Sequence, residues 1–184
     1  MRASKKLTMG AIITAMGVVF MTLGAYVEVL DLSVLALASL LMVFMCIEVG
    51  APYNWLTYAA TATLGAVFFF SASPVWILYL FIFGLYPIIK GLIERLKRWL
   101  WIPLKLLWFN FSFIPVIILA GVTTGTPIFA TDGIILPEWV DIRLVTVGLY
   151  VVCNVGMILF DAFLNSMIRF YLIRLRPRFA SLLK

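Results

Sequence analysis

Between Lys90 and Lys105 the chain reads KGLIERLKRWLWIPLK, the only internal cluster of basic residues, set between long oily stretches. Insertion scales put each Lys or Arg at mid-bilayer at a cost of roughly 2.5–3.5 kcal/mol. Lys90, Arg95, Lys97, Arg98 and Lys105 therefore keep this segment out of hydrocarbon. Cytoplasmic loops concentrate Lys and Arg, which places the segment on the inner side. Drawn as a helix, Ile89, Ile93, Leu96 and Leu100 form one face, and Lys90, Glu94, Lys97 and Arg98 form the other. The spacing predicts an interfacial amphipathic helix, with Trp99 and Trp101 at headgroup depth and Pro103 marking its end. Two uses fit that helix. It can be a topology anchor whose Lys90, Arg95, Lys97 and Arg98 hold anionic lipids, or a docking surface for a cytoplasmic or membrane partner.

Composition fixes the class. The chain is 65% hydrophobic and 12% charged, against about 45–50% and about 25% for a soluble domain. Six spans of ~20 residues would take up about 120 residues, leaving short loops and no separate soluble domain. The expectation is one all-α domain over 1–184, a polytopic bundle of six transmembrane helices with an amphipathic inner loop. A net charge of +6 invites a nucleic-acid reading, but the charges gather at span ends, as in membrane orientation. Cys46 and Cys153 lie in apolar runs and read as small buried hydrophobes. There is no His, which removes the usual metal ligand and general base. No phosphate-binding GxxxxGK[ST] loop occurs, so energy for any active transport must come from an ion gradient or another subunit.

In chain order, Arg2, Lys5 and Lys6 precede a first span, Leu7–Val27, read as retained because its apolar run exceeds that of a signal peptide. Ala11 and Ala15 lie four apart with Thr14 beside them, a small-residue face that admits close helix approach. Glu28 and Asp31 make an outer turn before the second span, Leu32–Ile47. Glu48–Tyr53 is an inner turn built by Gly50 and Pro52. The third span, Asn54–Phe70, again carries small residues. Ser71–Pro74 turns outside, and Pro74–Ile89 descends with Gly84 and Pro87 able to kink its inner end. After the basic stretch, Leu104–Val122 is the fifth span and Thr123–Ile142 the longest outer loop. Asp132-Gly133 in that loop predicts a small hairpin lid, and Pro137 starts a turn leading through Trp139 and Asp141 to the last span, Leu144–Ile168. On this path all but Arg143 of the 14 Lys/Arg residues fall on the inner side. Both termini are then cytoplasmic in a cell-membrane protein.

Asp161 is the one acid well inside a span. Tyr150, Asn154, Met157, Asp161 and Asn165 share a helical stripe, so these polar groups face the bundle. Asn110 falls at similar depth on the fifth span and can hydrogen-bond to Asp161, with Lys105 reaching toward both. The group is either a proton or cation site or a structural polar cluster of Asn110, Asp161 and Asn165. Nearer the outer side, Tyr26, Trp76, Tyr79, Tyr150, Asn154 and Asp132 can enclose an aromatic-lined, acid-rimmed cavity for a small organic ligand. An interfacial aromatic belt explains Trp76 and Trp139 without any ligand. With no paired intramembrane carboxylates and no nucleophile–base pair, an enzyme is not expected, nor a metal or cofactor.

The layout resembles the substrate-binding (S) components of energy-coupling factor transporters, which are six-span proteins of about this length with both ends cytoplasmic. Their first helix carries Ala-x-x-x-Ala, similar to Ala11 and Ala15 in AIITA. Their Gly-Pro turn before a small-residue helix is similar to Val49–Pro52 followed by Ala59–Ala66. The resemblance implies that Ala11 and Ala15 face a transmembrane coupling subunit serving two ATPase subunits. It also implies a vitamin-like substrate bound from outside by outer loops and helices four to six, then released as the subunit topples in the membrane. A non-transport membrane scaffold or lipid-associated assembly protein, and an ion-coupled transporter using Asp161, are the competing readings.

Overall fold

The computed structural model describes residues 3–70, 74–124 and 142–179. They form an all-α bundle of six helices, five of them long and apolar enough to cross a membrane. The expected hairpin lid, Asp132, Trp139 and Asp141 lie outside the described residues.

Helix α1 (Ala3–Tyr26) runs on through a short turn, Glu28–Leu30, into α2 (Asp31–Glu48). Gly50 then adopts φ 72°, a left-handed conformation open to a residue without Cβ. Its N–H donates to the Met45 carbonyl at 3.0 Å, ending α2 and letting α3 (Tyr53–Phe69) start at once. α1 packs along both α2 and α3. Glycine makes the α1–α3 approach possible: a Cβ on Gly17 would stand 2.8 Å from Thr61 Cγ2, and one on Gly10 2.8 Å from Thr57 Oγ1.

The fourth helix, α4 (Val75–Ile93), is the most enclosed of the five long helices, with 56% of its most apolar stretch buried. Val75, Trp76, Ile77, Tyr79 and Tyr86 sit at the centre of the core. The expected irregularity at Gly84 and Pro87 takes the form of a π turn over Tyr79–Phe83, closed by the Gly84 N–H on the Tyr79 carbonyl at 2.8 Å. Pro87 lacks the N–H that would reach back to residue 83, so a shift in helical register just before it costs no further bond. Gly84 is required there, because a Cβ would meet the Tyr79 ring at 2.7 Å.

The basic stretch differs from expectation. It is not one interfacial helix. α4 continues to Ile93, the chain is extended at Lys97 (φ −61°, ψ 135°), and one 3₁₀ turn (Arg98–Leu100) leads into α5 (Trp101–Thr124). Pro103 stands in the first turn of α5, where a missing N–H is harmless, and so marks a start and not an end. The physical reason is that Asp161 draws Lys90 and Lys105 inward, and Glu94 pairs with both lysines instead of facing water. The last helix, α6 (Ile142–Phe170), continues through a π turn, Tyr171–Leu175. Only 11% of its most apolar stretch is buried, so α6 lies at the edge of the bundle. Its far end is tied to α2 by Glu48, which takes the Arg176 Nε at 3.0 Å and the Tyr171 hydroxyl at 3.1 Å.

Candidate functional site

Three features stand out, each built from helices that the sequence places at one end or one face. The first is an ion cluster where α4, α5 and α6 meet. Tyr86, Lys90 and Glu94 recur every four residues along α4 and its end, which stacks them on one stripe. Opposite them α6 supplies Asp161 and Asn165, and α5 supplies Lys105. Asp161 Oδ1 accepts the Tyr86 hydroxyl at 2.7 Å and the Lys90 ammonium. Its Oδ2 accepts Lys105 at 2.9 Å and the Asn165 amide at 3.3 Å. Glu94 Oε1 takes both ammonium groups, each at 2.8 Å. Lys90 is only 2% exposed.

Two cations and two carboxylates thus neutralise one another, and both Asp161 oxygens are occupied. A buried charge is tolerated only when paired and hydrogen-bonded in this way. For Glu94, at the mouth of the cluster, burial alone would raise the pKa. Hydrogen bonds from Lys105 and Lys90 outweigh burial and hold the carboxyl below its ordinary value. The described residues hold no group of three or more His, Cys, Asp or Glu side chains placed to bind a metal.

The expected Asn110–Asp161 hydrogen bond is replaced by two separate networks. Asn110 pairs instead with Asn154, amide to carbonyl at 3.1 Å, and accepts the Tyr150 hydroxyl at 2.5 Å. These contacts tie α5 to α6 about one to three turns away from the ion cluster. Beside them opens an apolar crevice of about 650 Å³ between α5 and α6, lined by Leu107, Phe111, Ile114, Ile117 and Val147, with Asn110 and Tyr150 at its polar edge.

The outer aromatic set is likewise divided. Tyr150 borders the α5–α6 crevice and Asn154 is bonded to Asn110 at its edge, whereas Trp76 (5% exposed) and Tyr79 (1%) are core residues. Trp76 stacks on Phe70 and Tyr79 on Tyr58. Tyr26 is exposed. Neither Trp76 nor Tyr79 lines the α5–α6 crevice.

The third feature is a groove of about 560 Å³ between α1 and α3. Gly10, Thr14 and Thr57 form its buried floor, and exposed Ala11 and Ala15 face Ala60 and Leu64 across it. Lys6 closes one end, its ammonium 5.4 Å from the Tyr53 ring.

Sequence reasoning singled out Asp161 and Lys105 but missed Tyr86, Lys90 and Glu94 as its partners. The four-residue recurrence in Y-P-I-I-K-G-L-I-E was the available signal. It was obscured because a Lys and a Glu at a span end ordinarily face water. No protein-family model matches the chain, and neither a curated protein nor a solved structure is significantly similar to it.

Proposed function

We propose that the chain is a membrane-embedded, ligand-capturing subunit of a small-molecule, vitamin-like uptake transporter, dependent on a partner for energy. In this reading all six helices cross the cell membrane, with both termini cytoplasmic. The 17 residues of α3 rise about 25 Å, at the short end of the range for a span. The concentration of Lys and Arg at one set of helix ends supports the orientation.

The observation that carries the reading is the α1–α3 groove. Ala11 and Ala15 are exposed rather than packed inside, so an apolar helix can approach there with its backbone close to that of α1. A chain without a phosphate-binding loop needs such a contact to be driven by ATP. The S-component resemblance supplies the partner's class, a transmembrane coupling subunit with its ATPases. The ligand, a small organic molecule, would be taken at the outer side next to Tyr150 and Asn154. The closed, charge-balanced state of the Asp161 cluster favours a structural role for it over the ion-coupled reading.

Native mass spectrometry from mild detergent tests the proposal. A retained small molecule together with ATPase-bearing partners supports it, and purification with neither refutes it in favour of a scaffold. In the same assay, Ala11→Leu with Ala15→Leu should abolish partner association while the isolated protein keeps its unfolding transition. Loss of the fold would show that this face is needed internally.

A further inference from the structure

The five basic side chains between Lys90 and Lys105 divide into two groups. Lys90 and Lys105 turn inward and are neutralised by Asp161 and Glu94. Glu94 is the only acid in that stretch, and its Oε1 is taken by the two lysines. Arg95, Lys97 and Arg98 are left exposed on the α4–α5 connection. No acidic side chain among the described residues pairs with them.

The same connection exposes three large apolar side chains, Leu96 (50%), Trp99 (73%) and Ile102 (68%). Its shape is held from inside. The Trp101 indole N–H donates to the Leu96 carbonyl at 3.0 Å, and Lys105 lies 5.7 Å from the Trp101 ring. An ordered connector thus interleaves three uncompensated cations with three apolar side chains. Guanidinium groups match phosphate oxygens in a two-pronged geometry. Tryptophan settles at the boundary between headgroups and hydrocarbon. An acidic soluble peptide would satisfy the cations but leave Leu96, Trp99 and Ile102 in water. A phospholipid bearing net negative charge satisfies both at once.

We propose that the Glu94–Ile102 connection is a binding site for anionic phospholipid. Arg95, Lys97 and Arg98 hold the headgroup phosphate, and Trp99 and Ile102 lie against the upper acyl chains. Lys90, placed in such a site by sequence alone, takes no part because it is buried. The site requires only that the chain sits in a bilayer, and it is independent of the uptake reading.

The test uses the full chain in mild detergent, titrated with an equimolar mixture of phosphatidylglycerol and phosphatidylcholine, with retained lipid counted by native mass spectrometry. At low salt the protein should retain phosphatidylglycerol with a preference on the order of a hundredfold, about fivefold per cation engaged. High salt should erode it. The triple variant Arg95→Gln, Lys97→Gln, Arg98→Gln should lose the preference while keeping its lipid-free unfolding temperature, since these side chains make no internal ion pair. Should the triple variant fail to fold, each single variant reads the same ratio and should lower it about fivefold. An unchanged ratio in the folded variants overturns the proposal. So does the absence of any preference in the parent protein. Displacement of the lipid by millimolar glycerol phosphate would make this a free-phosphate site, and displacement by a co-purifying acidic protein a protein interface; either result also overturns it.

Discussion

Replacing Asp161 by Asn removes one of four charges from a cluster that is balanced as it stands. Two ammonium groups would then face the single carboxylate of Glu94, with Lys90 only 2% exposed and unable to recover its hydration. Breaking a buried ion pair by removing one partner costs about 3–5 kcal/mol. Asp161 is itself 19% exposed, so the lower end, about 3 kcal/mol, applies. Lys90→Met should cost a similar amount, by leaving two carboxylates facing Lys105 alone. The double variant restores one cation to one anion, with Lys105 and Glu94 already 2.8 Å apart. Its loss should therefore fall well short of the sum, by a coupling of up to about 3 kcal/mol. Reversible unfolding in mixed micelles at neutral pH measures all three, with Asn110→Ala as the comparison. That neutral contact between helices should cost only about 0.6–2 kcal/mol. If Asp161→Asn costs no more than Asn110→Ala, or if the double variant loses the full sum, the charge-balance reasoning is wrong.

Two further expectations concern backbone spacing and pH. Gly17→Ala should destabilise by about 1–3 kcal/mol, because its Cβ meets the stiff Thr61 side chain at 2.8 Å. Gly91→Ala has nothing within 4 Å and should be neutral or stabilise by about 0.4–1 kcal/mol, so equal unfolding temperatures for the two variants would contradict the packing described. Glu94 is held below its ordinary pKa of 4.5 by its lysines, against the opposing effect of burial. A depressed folded-state pKa gives stability that is present above the unfolded value and lost as pH falls through the folded one. Unfolding followed from pH 7 downward should show a steeper acid loss in the parent protein than in Glu94→Gln, and parallel curves would remove Glu94 from the network.

The sequence by itself determined the class of molecule and its element order. Long apolar runs admit only helices when water is absent to satisfy the backbone. The positions of Gly50, Gly84 and Pro87 marked where helices must end or shift. Boundaries read from hydropathy fell within a few residues for most elements, because they depend on local composition. The interruption at Gly84 and Pro87 was legible for the same reason.

What the sequence left open was which polar groups meet. Asn110 and Asp161 share a depth, but depth does not fix azimuth, and the rotation of α5 against α6 gave Asn110 to Asn154 and Tyr150 instead. Lys90 and Glu94 obey the pattern of a solvated face, and only the approach of Asp161 from a helix 71 residues away turns them inward. Trp76 and Tyr79 read as cavity wall or interfacial belt, and the closeness of α3 to α4 made them core instead. Hydropathy is a property of each segment alone, whereas pairing within the buried cluster depends on the relative rotation of three helices, which only the tertiary structure sets.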